Sequence, residues 1–412
     1  MHIWLIQTGE PVPIGSNIKK MRTAILADKL VERGHSVLWW VSAFDHFKKG
    51  WIFKKDTELT LKKGLKIIAL RGFGYRKNIS FARFIDHRVI AFKFKYKAPN
   101  MSKPDIIVAS TPPYDLAYET VKIAKYHHIP VIVDVRDEWP DIFLDHIPSC
   151  MRNLVKHILF RDFKLVRDTF KNATSLVSMM DHLLEWALLK AKREKMNINK
   201  TFYIGANKLN FSNIKPIERF SYLQEISKNK FVVTFIGTFG QYYNPLILTE
   251  IAKKMSGQNI HFIIGGDGIF FNQVKAACKD IKNISLTGWV KEEEIPFMLS
   301  VSHVGIIPCP NSITAFPNKA FTYFSGGLPV VSSLNGELKK IIEKYQLGFY
   351  YPPNNRDTLI ECITKLQDNP VLYKKMSENV RKVFDEMFDA DKIYNDYAEH
   401  IEKIEYDYSK SQ

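Results

Sequence analysis

Three glycine-bearing loops and one lysine carry most of the chemistry that can be read from this chain. Gly237-Thr238-Phe239-Gly240 closes an apolar run, Phe231–Ile236, and leads into a helical one, Pro245–Met255. Glycines at such a point let backbone N–H groups close on an anion, and the helix N-terminus adds positive potential. The same residues would also serve as an ordinary tight turn. Gly265-Gly266-Asp267-Gly268 follows the next apolar run, His261–Ile264. A nucleotide base can lie on bare backbone of this kind while Asp267 fixes the turn, although Asp267 suits a helix cap equally well. In Thr287-Gly288-Trp289-Val290, Trp289 either walls a base pocket or fills the core. The segment from Phe316 to Val331 is the richest: Pro317 marks a helix start, and Asn318 and Lys319 sit where backbone donors and an ammonium would meet a diphosphate. Lys319 as a solvated surface lysine is the alternative.

The first half holds a second constellation, Asp134-Val135-Arg136-Asp137-Glu138-Trp139, at the end of an apolar run. Asp137 or Glu138 can orient a substrate hydroxyl, and Arg136 can hold a phosphate. An internal Arg136–aspartate ion pair that shapes the loop is the competing reading.

Positioning these loops requires strands that end beside one another. Ile3–Gln7, Ser36–Val41, Lys66–Leu70, Ile106–Ala109, Val131–Val135 and Ser175–Ser178 are short apolar runs separated by helical patterns. Phe231–Ile236, His261–Ile264, Ile284–Leu286, Val304–Ile307 and Leu328–Ser332 repeat the theme. Continuous apolar strands alternating with helices imply parallel sheets covered on both faces, with ligands beyond the carboxyl ends of the strands. The expectation is an α/β chain of two doubly wound domains, joined through the polar stretch Asn207–Lys230.

Composition fits that reading. The chain has 412 residues, more than one core usually serves, with 46% hydrophobic and 25% charged residues. Four scattered cysteines, with no C-x-x-C pair, argue against a zinc site or a disulfide framework and suit a reducing compartment. The opening apolar run is too short for a signal peptide and reads as a first strand. No stretch of about 18 apolar residues is present to span a bilayer. The formal net charge of +16 is concentrated: sixteen Lys and Arg lie between Phe47 and Lys103, opposed by Asp56, Glu58 and Asp86 alone. Such a patch attracts phosphates of lipid, nucleic acid or substrate. Within it Phe81, Ile85, Val89, Phe92 and Tyr96 recur at helical spacing, flanked by Arg83, Arg88, Lys93, Lys95 and Lys97. The stripe either rests in a lipid interface or packs on the domain's own core.

The four C-terminal motifs occur in the order and spacing of family 4 glycosyltransferases. The chain is similar to the bacterial subgroup that builds O-antigen, capsule and lipopolysaccharide repeat units. Gln7-Thr8-Gly9-Glu10-Pro11, Met21-Arg22, Arg33-Gly34-His35, Ser110-Thr111-Pro112-Pro113 and Asp134 through Asp141 extend the likeness over nearly the whole chain. The resemblance implies a GT-B fold of two facing Rossmann-like domains. These would be an acceptor-binding domain over residues 1–206 and a nucleotide-sugar-binding domain over 207–385, with a crossover helix and tail over 386–412. It implies a retaining, metal-independent transfer with no cofactor, from a UDP-linked sugar to a lipid-linked or glycan acceptor, on the cytoplasmic face of an anionic membrane and without nucleic acid. By the same resemblance the donor diphosphate meets Gly237, Thr238, Asn318 and Lys319, and the base lies near Gly266, Asp267, Trp289 and Val290. Gly15 approaches from the first domain. Arg136, Asp137 and Glu138 serve the acceptor, and Asp137 and Lys319 are the catalytic candidates.

Two departures stand out. Thr322 occupies the place of a ribose-binding glutamate, and Gln241-Tyr242-Tyr243-Asn244 replaces the basic residues that usually follow the glycine-rich turn. A nucleotide-sugar 2-epimerase on the same fold, or a non-catalytic GT-B partner subunit, are the alternative functions.

Overall fold

The computed structural model describes residues 1–15, 18–145, 147–214, 217–311 and 313–411. The apolar runs become strands of two parallel sheets, in two compact units: Met1–Tyr203 with Tyr394–Gln412, and Ile204–Ile393.

In the first unit eight strands lie in the order Lys200–Thr201, Ser175–Ser178, Val131–Val135, Ile106–Thr111, His2–Ile6, Ser36–Ser42, Leu65–Leu70 and Thr57–Lys62. All pair in parallel except the last, which folds back on Leu65–Leu70 as an antiparallel edge. Sequence reading passed over Thr57–Lys62 because its residues are polar and mostly exposed, as suits an edge strand. The sheet buries Trp4 and Trp40 against Phe94 of the helix Phe81–Lys97, with ring centroids 4.8–6.4 Å apart in edge-on contact. After Leu65–Leu70 the chain crosses to the other side of His2–Ile6 and resumes with Ile106–Thr111. The loops after those two strands therefore part, leaving the crevice at which doubly wound sheets bind ligands.

The second unit repeats the plan with six parallel strands, ordered Ile284–Gly288, Ile260–Gly265, Phe231–Ile236, Val304–Ile307, Val330–Ser332 and Gly348–Tyr350. Its reversal falls between Phe231–Ile236 and Val304–Ile307. The stretch expected to be linker is instead part of this unit: Tyr222–Asn229 is a helix, and Phe220 and Leu223 are buried in a core cluster with Phe297 and Met298. Its few apolar residues were hidden among charges, yet they fall on one helical face.

The chain ends in one long helix, Ala390–Lys410. From Tyr394 onward it belongs to the first unit. There Tyr397 stacks on Phe202 at 4.4 Å, and Glu402 holds Arg33 at 2.6 Å.

Candidate functional site

The strand Phe231–Ile236 delivers its chain into Gly237, which donates to the Gly265 carbonyl at 2.9 Å. Gly266 has φ +145°, and a Cβ there would stand 1.9 Å from the Gly237 oxygen. Close passage of two strand ends is thus what demands glycine at Gly266, and Phe239–Gly268 bridging continues the same seam. Asp267 is exposed, and its Oδ1 accepts from the Gly268 N–H at 2.7 Å, which is the turn-fixing role.

Gly237 meets a different neighbour. It has φ +153°, and a Cβ would lie 2.8 Å from the Nζ of Lys319. The helix Asn318–Ser325 starts after the extended Pro317, so Lys319 sits in its first turn. Lys319 is no surface lysine at its tip. Its Nζ is shut off from solvent and has no hydrogen-bond partner among the described residues. It lies 3.6 Å from the ring centroid of Tyr243 and 4.4 Å from that of Phe235. Burial pushes its pKa down to about 7, opposed by the Cys309 thiol. Aromatic faces recover part of the lost hydration, but an ammonium held in this way lacks the charged hydrogen-bond acceptor that burial normally requires. An oxyanion brought to Gly237 would supply it. Tyr243 escaped the sequence reading; the signal was the aromatic pair standing where basic residues were expected.

The remaining residues of this half sit around that point. Asn318 and Thr238 are exposed at the helix start and the turn. Thr322, one turn along from Asn318, donates its hydroxyl to the Asn318 carbonyl at 3.2 Å. Trp289 is 59% exposed, which removes the core-filling reading, and its carbonyl accepts from Arg219 at 3.0 Å. Val290 is buried among Ile263, Phe297 and Met298, so a ligand there would meet its backbone rather than its side chain. Gly15 lies in the first unit with φ +95° and open space where a side chain would project.

In the first unit, the three residues expected at an acceptor are all engaged locally. Arg136 bonds Asp134 at 3.0 Å, pairs with Glu10 and donates to Thr23 at 2.9 Å. This is the internal ion pair, and it corrects the picture of Arg136 as a free phosphate clamp: two buried carboxylates already neutralise it. Asp137 accepts from the Glu138 N–H at 2.9 Å and from the Trp139 indole at 3.1 Å, and burial lifts its carboxyl above the usual range. Glu138 faces His182 at 3.0 Å. The polar groups that do line the reversal-point crevice are others, among them Arg83, Asp86 and His87 from the helix Phe81–Lys97, together with Tyr75, Thr8 and Ser42.

That helix buries Asp86, His87, Ile90, Ala91 and Phe94. The aromatic stripe lies off the buried face: Phe81, Phe92 and Tyr96 are 76%, 60% and 59% exposed. Lys93 reaches Asp56, just before the edge strand, and Lys97 reaches Glu58 within it, each at 2.8 Å. A second exposed apolar face went unread in the sequence. The short helix Arg152–Ile158 buries none of its residues and leaves Leu154 and Ile158 exposed beside Met151 and Phe160. Among the described residues no helix is long and apolar enough to cross a membrane.

Comparison with known proteins gives three kinds of likeness. Residues 217–383 match the family model of glycosyl transferases group 1. The chain is 30% identical over 165 residues to UDP-Gal:alpha-D-GlcNAc-diphosphoundecaprenol alpha-1,3-galactosyltransferase of Escherichia coli, over 38% of this chain and 41% of the relative. It is 25% identical over 167 residues to O-antigen chain mannosyltransferase C of the same organism, over 40% of this chain and 44% of that one. The chain thus spans about two-fifths of the length of these curated relatives. The crystal structure of Anabaena HepE in complex with UDP superimposes with a TM-score of 0.65 at 15% identity, over 98% of this chain and 99% of the other. The fold is therefore of the GT-B kind, and the resemblance to glycosyltransferases of surface polysaccharides is borne out.

Proposed function

We propose that this chain is a glycosyltransferase of surface-polysaccharide assembly, using a UDP-linked sugar as donor and a lipid-linked sugar as acceptor. The observation that carries the reading is Lys319. Among the described residues it is a buried amine without a hydrogen-bond partner, beside a glycine and in the first turn of a helix, within the segment that matches the transferase family. Donors fixed in this way stabilise the negative charge that develops on a leaving nucleoside diphosphate, with no reorganisation at the moment of reaction. Thr238, the Asn318 backbone and Lys319 would meet the diphosphate; Gly266, Asp267, Trp289 and Thr322 would meet the nucleoside. A retaining, family 4 course is part of the proposal, with the donor phosphate itself accepting the acceptor's proton. UDP and UDP-sugars are expected to raise the melting temperature, since a ligand of the native state stabilises by mass action. Absence of a shift with every nucleoside diphosphate sugar, in a protein that melts cooperatively, would sink the reading.

The acceptor half of the proposal rests on the exposed faces of the first unit and on the E. coli relative, whose name specifies a diphosphoundecaprenol acceptor. Phe81, Phe92 and Tyr96 stand beside Lys95, and Met151, Leu154, Ile158 and Phe160 stand among Arg152, Lys156 and Arg161. Apolar side chains interleaved with cations suit the interface of an anionic bilayer. Substituting Leu154 and Ile158 by Asp should abolish most co-sedimentation with phosphatidylglycerol vesicles. Neutralising Lys93, Lys95 and Lys97 together should weaken it less, because Lys93 and Lys97 are already paired with carboxylates. Undiminished sedimentation of both variants would remove the membrane from the proposal.

A further inference from the structure

We infer that Lys49 and Arg83, beside the reversal-point crevice of the first unit, form an anion site that receives the phosphate or diphosphate of the acceptor. The inference rests on the transferase reading above. The crevice opens where theory places a ligand in a doubly wound sheet, with Thr8 and Gly9 on one wall and Pro112 and Pro113 on the other. Arg83 reaches it from the helix Phe81–Lys97, with its guanidinium carbon 4.5 Å from the Trp139 ring centroid and 5.5 Å from that of Tyr75. The Nζ of Lys49 lies 4.9 Å from the same Tyr75 centroid. Two cations therefore share one aromatic ring.

Neither is tied up in a direct ion pair. Among the described residues, Lys49 donates to the Asn78 side chain and Arg83 to the Asn78 carbonyl at 2.8 Å, and neither pairs with a carboxylate. The carboxylates nearby act on them only at longer range, Asp86 and Asp137 on Arg83 and Asp45 on Lys49, and each takes its hydrogen bonds from other donors: Asp86 from the Gly74 N–H at 2.7 Å, Asp45 from the Phe47 and Lys48 N–H groups, and Asp137 from Glu138 and Trp139. The two histidines of the cluster add no further positive charge. His87 lies 3.4 Å from the Arg83 Nε, and His46 lies 2.6 Å from the Tyr75 hydroxyl. Burial first, and Arg83 second, lower their pKa values to about 3 and about 4, so both are neutral. Cations partly withdrawn from water with no directly bonded anion have their lost hydration only partly compensated. A phosphate bridging Lys49 and Arg83 would complete that compensation through charge-assisted hydrogen bonds from both. The position also fits the chemistry: a sugar diphosphate entering here brings its sugar to the carboxyl ends of the strands.

The test is calorimetric binding of inorganic pyrophosphate to the full chain saturated with UDP, so that the Lys319 site is filled. Wild type should bind, and Arg83→Met and Lys49→Met should each weaken binding about tenfold or more, while both retain the UDP-induced thermal shift as proof of folding. Pyrophosphate binding that vanishes on UDP saturation, or that is equal in wild type and variants, would overturn the site. In transfer assays Arg83→Met should raise KM for a lipid-diphosphate sugar at constant KM for the donor. An unchanged acceptor KM overturns the acceptor assignment. If the variant instead loses sedimentation with phosphatidylglycerol vesicles, the anion is a bilayer headgroup and the proposal fails. Absence of any lipid-acceptor transfer by wild type, with pyrophosphate binding intact, would count against the transferase reading and not against the site.

Discussion

Replacing Lys319 by Met should weaken UDP binding by roughly 10- to 100-fold, the usual worth of a hydrogen bond to a charged group in a desolvated site. Methionine keeps the apolar stem between Phe235 and Tyr243 and removes only the charge. The expectation extends to pH. The pKa of Lys319 is lowered to about 7 by burial, so near neutrality about half of the unliganded molecules carry the charge. A diphosphate favours the ammonium and raises that pKa, so binding takes up a proton. Affinity should be flat below about pH 7 and should fall above it, by at most tenfold per pH unit. The sign for stability is the opposite. The folded pKa lies below the unfolded one, so between about pH 7 and the ordinary lysine value the unfolded chain binds more protons. Stability of the unliganded protein therefore rises with pH across that window. Lys319→Met should flatten both profiles and raise the unliganded melting temperature at pH 6 to 7, trading function for stability. Isothermal titration of UDP against both proteins, in buffers of different ionisation enthalpy, reads the proton directly. Equal affinity of the two proteins would remove Lys319 from the site. Tyr243→Phe should preserve the wild-type profile, since the ring face rather than the hydroxyl meets the ammonium.

Asp134→Ala should be the most damaging single change to the first unit. Asp134 is fully buried and holds Arg22 at 2.9 and 3.2 Å and Arg136 at 3.0 Å. Arg22 in turn donates to the Phe202 carbonyl at 2.6 Å and lies over the Tyr397 ring at 5.2 Å, so this one network joins a strand end, the helix Arg22–Glu32 and the C-terminal helix. Removing the carboxylate strands one buried guanidinium outright and leaves the other to Glu10. Breaking a buried pair in this way costs about 3–5 kcal/mol, or roughly 10 °C in melting temperature for a unit of this size. Burial raises the Asp134 pKa, but Arg22 and Arg136 outweigh it and hold the carboxyl below its usual range. The folded value being depressed, this stability is fully present above the ordinary aspartate value and is lost as pH falls through the folded one. Scanning calorimetry below about pH 4 should show stability falling more steeply with acid in wild type than in Asp134→Ala. A variant melting within about 2 °C of wild type would show that the network has no such weight.

Much of this was legible in the chain. Strands such as Val131–Val135, Ser175–Ser178 and Phe231–Ile236 are continuous apolar runs, because both faces of a parallel sheet are covered. Thr57–Lys62 was not legible, since an edge strand with solvent-facing residues carries no such run. Residues 220–229 were hidden for the opposite reason: a few apolar side chains on one helical face are enough to anchor a helix that reads as polar overall.

The candidate site divides along the same line. By itself the sequence determined the two-sheet architecture, the glycine-bearing strand ends and the lysine that opens a helix, because each depends on local pattern and on residue types with few substitutes. The tertiary structure alone decided which groups are charged, buried or already taken. It brought Tyr243 under Lys319, and it neutralised Arg136 with Glu10 and Asp134, which lies 124 residues from Glu10 in the chain. It also turned Phe81, Phe92 and Tyr96 outward and left Lys49 and Arg83 sharing one ring without a direct ion pair among the described residues. Charge state and availability follow from distance and dielectric surroundings, and neither is written in the order of residues.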